Sequence, residues 1–141
     1  MVTTNNRYEN EESALRAPQS IFLQHRILCV DDDIAGTTIR GQILEEQGYL
    51  VVLYHCPLAA IHCDLSTFSL AVIDFAMPSL NGRELLLRMR ASGARFPVVL
   101  LTGSIDTLSY EDRILFARCI DKGRSVQCLL DTIAELLSLN S

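Results

Sequence analysis

The stretch LAVIDFAMPSLNGRELLLRM, residues 70–89, decides how the rest of the chain is read. It opens on an apolar run, Leu70–Ile73, with no polar alternation, the pattern of a strand buried on both faces of a parallel sheet. The run stops at a carboxylate, Asp74. Met77-Pro78 and Asn81-Gly82 then mark a turn. Arg83 to Met89 follows, rich in Leu and helical in character. A buried strand, an acid at its carboxyl end, a turn and a helix make one β–α unit.

Working outward, the same unit recurs. Apolar runs rich in Val, Ile and Leu lie at Arg26–Val30, Tyr49–Tyr54 and Pro97–Leu101, and a weaker run at Arg118–Ile120 precedes Lys122. Between them are helix-like segments. Ile34 to Gln47 places Ile39, Ile43 and Leu44 near one face and stops at Gly48, a helix terminator. Pro57 to Cys63 reads as a short helix with Pro in its first turn. Asp106 to Phe116 is a further helical segment. Ser125 to Leu137 sets Val126, Leu129, Leu130, Ile133 and Leu137 on one stripe, with Ser125 as its N-cap. Five β–α units in this order predict a doubly wound, five-stranded parallel sheet with helices on both faces. Residues 1–24 are polar and aperiodic and are expected to form a flexible N-terminal arm, leaving the domain at 25–141.

Composition removes several function classes. The net charge of −5 argues against a nucleic-acid binder, which carries a basic surplus. No apolar stretch approaches a membrane-spanning length, and the first 20 residues have no apolar core of a secretory signal. The five cysteines are odd in number, form no Cys-x-x-Cys and sit largely inside apolar runs, which predicts free thiols in a reducing, cytoplasmic compartment. His55, Cys56, His62 and Cys63 have no standard zinc spacing. They are read as part strand end and part short helix.

The strand ends carry the chemistry. The first run ends in Asp31-Asp32-Asp33, the third in Asp74, the fourth in Thr102-Gly103 and the fifth beside Lys122. A doubly wound sheet gathers the carboxyl ends of its strands around one crevice. Clustered carboxylates repel unless protonated or paired. A hard cation such as Mg2+ resolves this, because it takes oxygen ligands and keeps several waters. A carboxylate can also attack phosphorus to form an aspartyl phosphate, whose oxygens a metal, an ammonium and a hydroxyl can neutralise. Asp32, Asp74, Lys122 and Thr102 supply that set. Asp33 is read as a helix N-cap.

The segments LCVDDD, VIDFAMPSLNG, VVLLTG and CIDKG together resemble the motifs of receiver domains from two-component response regulators, of the single-domain, chemotaxis-regulator type. The resemblance runs in order from about residue 26 to 138. It implies a flavodoxin-like sheet ordered 2-1-3-4-5 and a switch rather than an enzyme. Asp74 resembles the phosphoacceptor, fed by a histidine kinase or phosphotransfer protein. Asp32 resembles the direct metal ligand, Asp31 its partner through water, and Ala76 the residue whose carbonyl completes the Mg2+ ligands. Thr102 resembles the switch hydroxyl and Lys122 the lysine that pairs with the phosphoryl group. The face of the fourth helix, fifth strand and fifth helix is implied as a partner or homodimer surface.

Three positions depart from the pattern. Cys119 stands where an aromatic is usual, Gly123 follows Lys122 where proline is usual, and Gly103 stands where Ala is usual. Gly123 is expected to loosen the loop after the fifth run. Two other readings compete. One is a Mg2+-dependent phosphohydrolase of haloacid-dehalogenase type, for which Asp31-Asp32-Asp33-Ile34-Ala35 nearly supplies the Asp-x-Asp motif; it leaves Asp74 idle, and Ala35 stands where Thr or Val is usual. The other is a receiver-like binding module that is never phosphorylated.

Overall fold

The computed structural model describes residues 24–139. The arm expected over 1–24 falls, apart from Gln24, outside them. The described chain runs β1 (Arg26–Val30), α1 (Ile34–Glu46), β2 (Leu50–Tyr54), α2 (Pro57–Ile61), β3 (Leu70–Asp74), α3 (Gly82–Ala91), β4 (Val98–Thr102), α4 (Tyr110–Arg113), β5 (Arg118–Asp121) and α5 (Val126–Leu139). Short 3-10 turns at Leu65–Thr67 and Ile105–Thr107 precede β3 and α4. The sheet is parallel throughout and ordered β2-β1-β3-β4-β5.

Alternation along the strands splits the core in two. Leu28, Val30, Ala71, Ile73, Val98 and Leu100 point to one face, where Ala60 of α2 and Leu85, Leu86 and Met89 of α3 cover them. Ile27, Cys29, Leu70, Val72, Val99 and Leu101 point to the other, under Leu44 of α1 and Leu129, Ile133, Leu136 and Leu137 of α5. Every residue of β3 and β4 is buried, as expected for strands covered on both faces. Each fully buried Leu or Ile side chain contributes roughly 1.5–3 kcal/mol.

The helices start where the sequence offers caps. Asp33 caps α1, its carboxylate accepting from the Gly36 N–H. Asn81 and Glu84 form a reciprocal capping box at α3. Asn81-Gly82, read from sequence as a turn, is therefore the start of the helix itself.

Three local expectations give way. In α1 the buried side is Thr37, Gly41 and Leu44, while Ile39 is 57% exposed. Small residues set this face, because a Cβ on Gly41 would already sit 3.2 Å from Leu53 Cδ2. The 106–116 segment is a 3-10 turn and the single-turn α4, separated by Leu108 in extended backbone. Leu108 is buried, and Ser109 opens α4 as a fresh cap by accepting from the Asp112 N–H. In α5, Val126 turns outward and the buried stripe passes instead through Leu136.

Candidate functional site

The carboxyl edge of the sheet is assembled by register. Asp74 ends β3 opposite Leu101, and Thr102 ends β4 opposite Asp121. The Lys122 N–H donates to the Thr102 carbonyl at 2.8 Å, and the Phe75 N–H to the Leu101 carbonyl at 3.1 Å. Those two bonds tie the loops after β5 and β3 to β4. On the other side, the Asp31 N–H donates to the Tyr54 carbonyl at 3.1 Å and the Asp31 carbonyl accepts from His55 Nδ1 at 3.0 Å.

The side chains converge. Oxygens of Asp31, Asp32 and Asp74 lie within 4.8 Å of one another, and among the described residues no other group of three or more His, Cys, Asp or Glu does so. Asp31 is 3% exposed and Asp74 6%, whereas Asp32 faces solvent. Lys122 bridges the buried pair, its Nζ 3.0 Å from Asp31 Oδ2 and 3.2 Å from Asp74 Oδ1. Thr102 is buried beside them, and its hydroxyl oxygen accepts from the Ser104 N–H at 3.1 Å. Ala76 lies exposed in the loop two residues beyond Asp74. Asp33 serves the helix and not the cluster's edge, as its cap bond requires.

Burial pushes the Asp74 carboxyl above the usual carboxylate range, and the Asp31 charge pushes it further, with Lys122 opposing. For Lys122, burial works against the charge, but hydrogen bonding and attraction to Asp31 and Asp74 outweigh it and raise the ammonium. It therefore stays protonated across the neutral range. Burial pushes the Cys29 thiol up to about 12, which keeps it protonated at neutral pH, and raises that of Cys119.

Two backbone features shape the loop after Asp74. Ser79 has φ 77°, and the Leu80 N–H donates to the Pro78 carbonyl at 2.8 Å, a tight γ-turn around a non-glycine residue. Gly82 donates to the Phe75 carbonyl at 2.7 Å, and a Cβ there would sit 2.8 Å from the Asp74 carbonyl oxygen and 3.0 Å from Phe75 Cα. The motif glycine is thus required by a close approach to the backbone of Asp74 and Phe75. Gly82→Ala is expected to lose about 2 kcal/mol through overpacking. A urea unfolding midpoint equal to wild type would show that the loop yields freely.

The loop after β5 is closed by a turn at Gly123. Its N–H donates to Asp121 Oδ1 at 2.7 Å and the Arg124 N–H to the Asp121 carbonyl at 3.0 Å, closing an Asx-turn that a proline, lacking the N–H, could not make.

One charged residue escaped the sequence reading. Arg40 Nη2 sits 2.6 Å from Asp31 Oδ2. The available signal was its place one turn beyond Thr37 and beside Gly41, on the sheet-facing side of α1, where an arginine needs an anion.

Comparison with known proteins agrees with this geometry. Residues 27–121 match the family model of the response regulator receiver domain. The transcriptional regulatory protein FixJ of Bradyrhizobium diazoefficiens is 37% identical over 82 residues, which is 57% of this chain and 40% of that protein. A CpxR homolog of Haemophilus influenzae is 33% identical over 90 residues, 64% of this chain and 38% of that protein. The chain thus aligns with about 40% of the length of these curated relatives. A CheY-like receiver domain from Methanospirillum hungatei superposes with a TM-score of 0.71 at 31% identity, covering 82% of this chain and 94% of its own. Response regulator TrrA from Thermotoga maritima, solved with Mg2+ and BeF, shares the fold with a TM-score of 0.73 at 23% identity, covering 80% of this chain and 99% of its own. Among the described residues no helix is long and apolar enough to cross a membrane. Receiver domains are signal switches, and with the sheet order, the acidic strand ends and the family match in agreement, this chain belongs to the response regulator receiver domain family.

Proposed function

We propose that Asp74 accepts a phosphoryl group and that the domain, placed at residues 25–141, converts this charge into a changed partner surface. A carboxylate oxygen of Asp74 attacks the phosphorus of a phosphohistidine on a histidine kinase or phosphotransfer protein. An O–P bond forms, the P–N bond breaks, and the imidazole leaves with its electron pair. The observation that carries this reading is the Lys122 ammonium held 3.2 Å from an Asp74 oxygen, beside carboxylates within 4.8 Å. Lys122 then shifts toward the new phosphoryl oxygens, which bring roughly −1.5 to −2 charges.

The donor set fits a hard divalent cation, since every group offered is oxygen and two of the carboxylates are buried. Asp32, Asp74 and the Ala76 carbonyl would hold Mg2+ directly and Asp31 through water, and the ion when bound would offset the charge of the phosphoryl oxygens. Thr102 is the switch hydroxyl. Turning it to the phosphoryl group gives up its bond to the Ser104 N–H and frees the 104–108 segment that leads into α4. The surface of α4, β5 and α5 is then the face offered to a downstream partner or a second copy. We infer a reducing, cytoplasmic setting, which five free cysteines would suit.

The test is exposure of the full chain to acetyl phosphate with MgCl2 or with EDTA, followed by intact mass. One added phosphoryl group is expected with magnesium and none with chelator. Labelling that ignores the chelator, or none in either condition, overturns the reading.

A further inference from the structure

We propose that Arg40 is a positioning residue that acts through Asp31, a built-in counter-ion that keeps this carboxylate out of direct metal contact and weakens the acidic cluster's hold on a divalent cation. The inference rests on the reading of the cluster as a metal site and adds to it a determinant of affinity.

The bonding of Asp31 carries the case. Its Oδ1 accepts from the Asp33 N–H at 2.9 Å, and its Oδ2 takes both Arg40 Nη2 at 2.6 Å and Lys122 Nζ at 3.0 Å. Oδ2 is committed to two cations before any ion arrives, and Oδ1 is held by a backbone N–H. Direct coordination through Oδ2 would have to displace a charged donor, whereas a bridging water need not. Arg40 is also held from a second side. Thr37, fully buried, donates its hydroxyl to the Asp33 carbonyl at 2.7 Å and accepts from Arg40 Nη2 at 3.4 Å.

Arg40 also lines a cavity of about 150 Å3 with Lys122, Arg124 and Asp121, so a side chain leaving Asp31 would meet two like charges and one carboxylate, which already accepts from the Gly123 N–H. The charge balance follows. The three carboxylates face two resident cations, Arg40 and Lys122. A divalent ion therefore enters a nest already largely neutralised, beside a fixed positive charge.

Calorimetric titration of the full chain with MgCl2 tests this. Arg40→Gln removes the charge and is expected to bind Mg2+ about tenfold more tightly than wild type. Arg40→Lys keeps the charge and is expected to stay within about threefold of wild type. Thermal unfolding in EDTA checks that each variant is folded; if the Gln variant is not, Arg40→Leu, which leaves Asp31 with Lys122 alone, repeats the measurement. A purely structural arginine would loosen the cluster on removal, so affinity in the charge-free variant that is unchanged or weaker overturns the inference while leaving wild-type metal binding intact. Absence of Mg2+ binding by the wild type itself overturns the metal reading and this inference with it.

Discussion

Asp74→Asn is expected to take up no phosphoryl group from acetyl phosphate and yet to unfold at a higher temperature than the wild type. The first effect follows from chemistry. An amide has no anionic oxygen to attack phosphorus, and buried Asp31, whose Oδ2 is held by Arg40 and Lys122, does not replace it. The second follows from burial. The folded state raises the Asp74 carboxyl above its usual range, first through desolvation and then through Asp31. A carboxyl raised on folding favours the folded state only below its ordinary pKa, and that contribution is lost as pH rises through the raised value. At neutral pH the ionised Asp74 is therefore a burden, and its isosteric amide relieves it while Lys122 keeps Asp31 as partner. The gain is about 1 kcal/mol. It should shrink as pH falls through the range in which Asp74 protonates in the wild type. Labelling of the variant would place the acceptor elsewhere. A melting temperature at or below wild type at neutral pH would show that the Lys122 bond outweighs the cost of burial.

The parts of the site legible in the sequence are those fixed by topology. In a parallel sheet the last residue of each buried run must lie on one edge, so Asp31, Asp74, Thr102 and Lys122 could be gathered from strand ends alone. Helix faces were less legible, because hydrophobic periodicity ranks large residues while close packing selects small ones. Ile39 attracted the reading of α1, yet Thr37 and Gly41 let the helix approach β2, and that rotation aims Arg40 at Asp31. The 106–116 segment failed for a related reason. Leu108 carries the apolar signal of a helix but reaches the core from extended backbone, and Ser109 restarts the chain as a cap. At Gly123 the sequence suggested freedom because glycine was weighed against proline's rigid ring. The decisive group was its N–H, which finds the Asp121 carboxylate.

The sharpest contrast within the cluster is between its two buried acids, for Asp31→Ala is expected to destabilise the fold by about 3 kcal/mol, the opposite sign to Asp74→Asn. Asp74 holds one cation that has another partner. Asp31 holds two, and it also accepts from the Asp33 N–H at the entry to α1. Removing it leaves Arg40, 22% exposed, with only the weak 3.4 Å contact to Thr37, and sets the guanidinium and the Lys122 ammonium near one another without the anion that joined them. Breaking one partner of a buried pair costs more than never having built it, because the remaining charge stays desolvated. Partial exposure of Arg40 keeps the loss toward the lower end of the range for such pairs. Asp31→Asn should fall between, since Oδ1 can still accept from Asp33 while the charge is gone. The double variant Asp31→Ala/Arg40→Leu supplies the control: if the loss arises from an orphaned guanidinium, removing it as well recovers a large share, and the two substitutions are strongly non-additive. Urea unfolding of the four chains measures the coupling. Additive losses, or a single Asp31→Ala loss below about 1 kcal/mol, would mean that Arg40 reaches solvent when released and that Asp31 is kept for its chemistry and not for the fold.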